Sequence, residues 1–103
     1  MRQETQKMDP AQGIHPKAWV LMEFEDDHFI VSMDDDYRWR RSTPIVKSTR
    51  DPATHAHIIA TSSGSTYILD DTTRGLAIGM MDMVEGYLRA GATIRDNGFK
   101  DEY

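Results

Sequence analysis

The chain has 103 residues, a net charge of −5 and no cysteine, and 39% of its residues are hydrophobic and 28% charged. This length suits one domain with a single core, and the composition is that of a globular protein. Without cysteine, disulfides, thiolate metal sites and thiol catalysis are excluded. The negative charge disfavours nonspecific binding to nucleic acid, because it repels phosphate backbones.

The first segment is polar and irregular. Residues 1–17 contain Pro10, Gly13 and Pro16, which predicts a flexible N-terminal arm before a globular domain over residues 18–103. The segment lacks the apolar region of a secretory signal, and no window reaches the ~18 continuous apolar residues of a membrane span. We therefore expect a cytoplasmic protein with no membrane partner, present as a monomer or homodimer.

A first β-hairpin is predicted between residues 18 and 34, where apolar and polar residues alternate. A two-residue turn at Asp26 and Asp27 would pair Phe24 with Phe29 and align the apolar faces of the two strands. Those faces carry Ala18, Val20, Met22 and Phe24 on the first strand and Phe29, Val31 and Met33 on the second.

The next segment, "YRWRRSTPIVKS", continues the alternation. It predicts a strand with Tyr37 and Trp39 towards the core and the arginines towards solvent. Pro44 has no N–H to donate, so the strand breaks, bulges or lies at a sheet edge there.

A second hairpin follows in "HIIATSSGSTYILD". A turn at Ser63 and Gly64 would pair Ala60 with Tyr67, and Ile59 with Ile68. Both faces of this hairpin are apolar, which favours a central position in a curled sheet or small barrel.

Helical spacing begins after the second hairpin. Apolar residues recur every three or four positions, which predicts one amphipathic helix over about residues 72–90. Its N-terminal cap is expected among Asp71, Thr72 and Thr73, and Gly91 marks its end. A short edge strand is expected at Thr93 to Arg95. The predicted fold is therefore α+β: a curled antiparallel sheet of four to five strands, containing two hairpins and resembling a small barrel, with one C-terminal helix.

No motif predicts catalysis or a cofactor. His55 and His57 would share a face of an extended segment and could bind a metal with His28. The acidic runs lack the spacing of a calcium loop, and neither a phosphate loop nor a nucleophile elbow is present. We therefore predict a non-catalytic protein without metal or cofactor, and keep a small metal-dependent enzyme as an alternative.

The charges are unevenly distributed: residues 23–36 contain seven acids and no lysine or arginine, and residues 38–50 contain five lysines and arginines and no acid. This pattern predicts binding to a protein partner with a basic surface. The predicted contact residues are Glu23, Glu25, Asp26, Asp27, Asp34, Asp35, Asp36, Arg38 and Arg40. An alternative is a single-stranded nucleic-acid surface formed by the aromatic residues with Arg38, Arg40, Arg41, Lys47 and Arg50.

The segments "RSTPIV" and "IIATSSGSTYIL" resemble a strand-and-hairpin pattern of small accessory proteins from phages and other mobile elements, including anti-defence inhibitors such as anti-CRISPR proteins. The resemblance implies a small non-catalytic inhibitor that occupies a surface of its partner. With the acidic charge, it predicts a partner complex that handles nucleic acid.

Overall fold

A computed structural model of the chain describes residues 13–96 and 98–103. Within these residues, β1 and β2 form the first hairpin, β5 and β6 form the second, and one α-helix follows them. In chain order the elements are β1 Ala18–Phe24, β2 Asp27–Met33, β3 Trp39–Arg41, β4 Ile45–Arg50, β5 His57–Thr61, β6 Thr66–Leu69, a 3₁₀ helix Asp71–Thr73, α1 Ile78–Arg89 and β7 Thr93–Ile94.

The strands divide between two antiparallel sheets, one in the order β3-β2-β1-β7 and one in the order β4-β5-β6. The four-stranded sheet is the middle layer, since α1 packs on one face and the three-stranded sheet packs on the other. The predicted α+β class, with two hairpins and one C-terminal helix, is confirmed. The sheets do not close into a barrel.

The position of this sheet as the middle layer explains why β1 and β2 are buried at nearly every position. One face of this hairpin packs on α1 through residues that include Val20, Met22 and Val31. The opposite face meets the three-stranded sheet through Trp19 and Leu21, which are fully buried. The alternation in the sequence predicted that the first face is buried. The second face is buried as well, because the three-stranded sheet covers it.

The first hairpin turns one residue earlier than predicted. Its turn residues are Glu25 and Asp26, with φ of 52° and 71°, and Met22 pairs with Phe29. Positive φ at both central residues is the geometry of a type I′ turn, whose twist matches that of the flanking strands. The predicted turn at Asp26 and Asp27 was wrong, but the shift preserves which residues share a face.

The second hairpin also differs from the prediction, because its loop has three residues, Ser62 to Gly64. Ile59 therefore pairs with Tyr67, and Ile58 with Ile68. Gly64, at φ 93°, supplies the left-handed residue that a three-residue hairpin loop requires at its third position. The predicted register was wrong by one residue.

The helix is shorter than the predicted span of residues 72–90. The carboxylate of Asp70 accepts the N–H of Thr72 and caps the 3₁₀ helix, and Arg74 then forms a bridge with β1. This tertiary pairing keeps the backbone extended, so α1 begins at Ile78. The expected edge strand is confirmed as β7, which pairs with β1. Among the described residues, no helix has the length and apolarity that crossing a membrane requires.

Most of the predicted N-terminal arm, residues 1–12, lies outside the described residues. The remainder contacts both hairpins. The N–H of Ile14 donates to the carbonyl oxygen of Thr66 at 2.8 Å, the N–H of Ile68 donates to the carbonyl oxygen of Ile14 at 2.8 Å, and the N–H of Lys17 donates to the carbonyl oxygen of Met33 at 2.9 Å.

Candidate protein-binding surface

The loop between β2 and β3 is ordered by one aspartate. The N–H of Asp34 donates to the carbonyl oxygen of Arg38 at 2.9 Å, which closes a three-residue loop over Asp35, Asp36 and Tyr37. Oδ1 of Asp34 accepts the N–H groups of Asp36 at 2.9 Å and of Arg38 at 3.0 Å. This arrangement leaves the side chains of Asp35 and Asp36 exposed.

Two aromatic side chains next to these acids are exposed. Tyr37 has 71% and Trp39 has 46% of its surface exposed. The prediction that both residues face the core was wrong. Trp39 pairs with Met33 at the edge of the four-stranded sheet, but α1 packs mainly against β2 and β7 and leaves Trp39 largely exposed.

Tyr37 also has an unusual backbone conformation, with φ of 63°. A bulky residue in the left-handed region is strained, because its Cβ approaches its own backbone. The ammonium of Lys17 lies 4.2 Å from the centre of the Tyr37 ring, which is the geometry of a cation–π contact. The loop therefore presents this aromatic ring to solvent despite a backbone cost.

The two arginines of β3 are exposed, but both contact other side chains. The guanidinium of Arg41 lies 4.4 Å from the ring centre of Phe29 and donates to the hydroxyl of Tyr87 at 3.0 Å. Burial raises the pKa of Tyr67, and a hydrogen bond from Arg40 partly offsets that rise. Arg40 and Arg41 therefore help to join the layers.

The predicted acidic residues do not form one continuous edge. Residues 25–27 and residues 34–36 lie at opposite ends of β2, and seven strand residues separate such ends by roughly 20 Å. Glu23 is partly buried and accepts a hydrogen bond from Arg95 at 3.3 Å. The structure thus brings together one contiguous set, which we call the β3 patch: Asp35, Asp36, Tyr37, Arg38 and Trp39.

The histidines do not meet at a metal site. His57 lies 2.8 Å from a carboxylate oxygen of Asp71, His28 bonds to Tyr103, and His55 occupies a separate loop. No group of three or more histidine, aspartate and glutamate side chains suited to a metal ion occurs within residues 13–96 and 98–103.

The bases predicted as a nucleic-acid surface are also divided. Lys47 and Arg50 lie on β4 of the three-stranded sheet, whereas Arg38, Arg40 and Arg41 lie at or next to β3 of the four-stranded sheet. Arg50 forms an ion pair with Asp71 at 3.4 Å. These five bases are close in sequence, but they do not form one basic surface in the structure.

No protein-family model, curated protein or solved structure matches this chain. Sequence reasoning missed the exposure of Tyr37 and Trp39, although one signal was present: Asp34 precedes a short polar run, and aspartate commonly accepts backbone N–H groups in such loops.

Proposed function

We propose that this protein is a non-catalytic binding module that docks on a basic protein surface through the β3 patch. The observation that supports it is the exposure of Tyr37 and Trp39 beside Asp35 and Asp36. Tyrosine, tryptophan and arginine are the residues that most often dominate the energy of protein interfaces. The patch combines all three with an acidic rim.

The two parts of the patch have different roles in this proposal. The aromatic rings supply apolar area and slow dissociation once they are buried against the partner. The carboxylates of Asp35 and Asp36 speed association by attracting the basic partner, with an effect that salt weakens. In addition, β3 ends its sheet, so its outer backbone groups are available for contacts.

We also propose the finer role that the sequence predicts. The partner would be a cytoplasmic complex that handles nucleic acid, and the protein would inhibit it by competing with phosphate for the basic surface. The acidic charge and the resemblance to mobile-element accessory proteins support this role.

The test compares two acidic turns of equal charge. Asp35→Ser with Asp36→Ser removes two acids from the β3 patch and retains Asp34, which orders the loop. The matched control, Glu25→Asn with Asp26→Gly, removes two acids at the opposite end of β2 and favours the observed type I′ turn. The unmodified chain and both variants are cross-linked in extract of the host cells, and each captured protein is purified for binding kinetics at several salt concentrations.

We expect the Asp35 and Asp36 variant to associate more slowly, about tenfold at low salt, and with a smaller salt dependence. The control should retain the rate of the unmodified chain. Equal effects of the two variants would contradict a role for the β3 patch and indicate a response to net charge alone.

A second candidate is binding of single-stranded nucleic acid, which the exposure of the two aromatic rings favours. Bases stack on such rings, and Lys17 and Arg38 supply positive charge nearby. A gel shift with a single-stranded oligonucleotide at low salt tests this candidate. A complex that Trp39→Ser abolishes would support it, and the absence of a complex at high micromolar protein would exclude it.

A further inference from the structure

The C-terminal segment, residues 98–103, lies against the side of the two packed sheets. The ring of Phe99 stacks on Trp19 at 5.9 Å and contacts His57 at 4.9 Å between ring centres. The ring of Tyr103 meets the ring of His28 edge-on at 5.2 Å. No described residue of this segment belongs to a helix or strand, so these side-chain contacts are important in holding it.

His28 lies beneath this segment on β2 and is only 2% exposed. Its Nδ1 is 2.7 Å from the hydroxyl of Tyr103, and that hydroxyl also accepts the N–H of Lys100 at 3.0 Å. Its Nε2 has no hydrogen-bond partner among the described residues, and the nearest carboxylate oxygen, on Glu23, is 3.8 Å away. The arrangement suits a neutral imidazole that accepts the proton of Tyr103.

A charged imidazole would be poorly accommodated at this position. Burial and the positive charges of Arg95 and Lys100 lower the pKa of His28, and Glu23 offsets part of that effect. Lys100 belongs to the C-terminal segment itself, and Tyr103 covers the imidazole. Removal of the segment would therefore hydrate the imidazolium and take away one of the repelling charges, without breaking either sheet.

We propose that neutral His28 holds the C-terminal segment closed, and that protonation of His28 releases the segment and uncovers Trp19. The closed form is fully favoured above the ordinary histidine pKa of 6.5 and loses stability as pH falls from 6.5 towards the lowered pKa of the closed form. For one proton, the equilibrium constant between the closed and released forms changes by at most about tenfold per pH unit. The proposal does not depend on the β3 patch.

The test follows the accessibility of Trp19 with pH. The chain has two tryptophans, so Trp39→Phe leaves Trp19 as the only one, and acrylamide quenching of its fluorescence is measured from pH 8 to pH 5. We expect quenching to increase as pH falls below 6.5, with unchanged far-ultraviolet circular dichroism. No increase, or one that coincides with global unfolding, would overturn the proposal.

Two variants in the same background identify the histidine responsible. His28→Gln cannot take up the proton and should abolish the pH-dependent step. His57→Gln removes the other histidine near Trp19 and Phe99 and should retain the step. A step that persists in the His28 variant or disappears in the His57 variant would overturn the proposal.

Hydrogen exchange on the unmodified chain provides a result that needs no variant. We expect the protection factors of the amides in residues 99–103 to fall with pH while those of β5 remain constant. If both sets remain constant down to pH 5, the segment is not released and the proposal is wrong.

Discussion

Two three-residue loops in this molecule share one pattern of backbone hydrogen bonds, and they differ in whether a glycine occupies the third position. In the loop between β2 and β3, the N–H of Asp34 donates to Arg38 and the N–H of Tyr37 donates to Asp34, at 2.9 and 3.1 Å. In the loop between β5 and β6, the N–H of Thr61 donates to Ser65 and the N–H of Gly64 donates to Thr61, at 3.0 and 2.9 Å.

The third residue of each loop has positive φ, 63° at Tyr37 and 93° at Gly64. Glycine adopts this conformation without steric cost, whereas a tyrosine does not. The loop over residues 62–64, here called the glycine loop, therefore forms its turn without backbone strain. The loop over residues 35–37, here called the tyrosine loop, has a strained backbone at Tyr37 and exposes a large ring. Such strain is often found at residues that take part in binding.

The largest expected effect concerns binding through the tyrosine loop. The double substitution Tyr37→Asn and Trp39→Ser should weaken binding to the partner by at least about 30-fold, mainly through faster dissociation, because loss of two aromatic anchors costs about 2 kcal/mol or more. Surface plasmon resonance with the purified partner measures this effect. Val46→Ser, at an exposed apolar residue on β4, is the control. Equal affinities for the double variant and the unmodified chain would refute the difference in function between the loops.

A substitution in the glycine loop should change the stability of the fold. Gly64→Ala should lower the free energy of unfolding by about 1–2 kcal/mol, because alanine is strained at positive φ. Beyond Gly64 and its two chain neighbours, no described atom lies within 4 Å of the added Cβ, so the local backbone conformation is the cause. Urea denaturation measures the change, and Ser62→Ala, an exposed substitution in the same loop, should stay within about 0.5 kcal/mol of the original. An unchanged midpoint for Gly64→Ala would show that the loop rearranges.

The carboxylate that orders the tyrosine loop should have a comparable but smaller effect. Asp34→Ala removes the acceptor of two N–H groups and should lower the free energy of unfolding by about 1 kcal/mol. Asp35→Ala is the matched control, since its side chain is exposed at the loop tip. If both substitutions have the same effect in urea denaturation, Asp34 does not order the loop.

The smallest effect is expected at the strained tyrosine and has the opposite sign. Tyr37→Asn should raise the free energy of unfolding by a few tenths of a kcal/mol, up to about 1 kcal/mol, because asparagine tolerates positive φ. The lost contact with Lys17 reduces this gain. The same urea denaturation measures it. A loss of stability above about 1 kcal/mol would instead assign Tyr37 a packing role.

The fold was largely predictable because its signals are local. Alternation through Val20 and Met22 predicted the first hairpin, and the apolar spacing around Met80 and Val84 predicted the helix. The turn positions were less predictable. A type I′ turn at Glu25 and Asp26 and a three-residue loop ending at Gly64 each move the register, and the same strand pattern fits several loop lengths.

The candidate site was less predictable, because alternation assigns a residue to a face and does not show whether another layer covers that face. Trp39 shares its face with Met33; α1 covers Met33 and leaves Trp39 exposed. For the same reason, no local pattern indicated that His28 would be buried beneath Tyr103, 75 positions later in the chain.

Local sequence is thus sufficient for the α+β class, the two hairpins, the C-terminal helix and the exposure of the acidic turns, since each depends on the periodicity or turn chemistry of neighbouring residues. The tertiary structure decided the division into two sheets, the separation of the acidic turns along β2 and the exposure of the β3 patch. These features depend on which layer covers which edge, and that is set by contacts between residues distant in the chain.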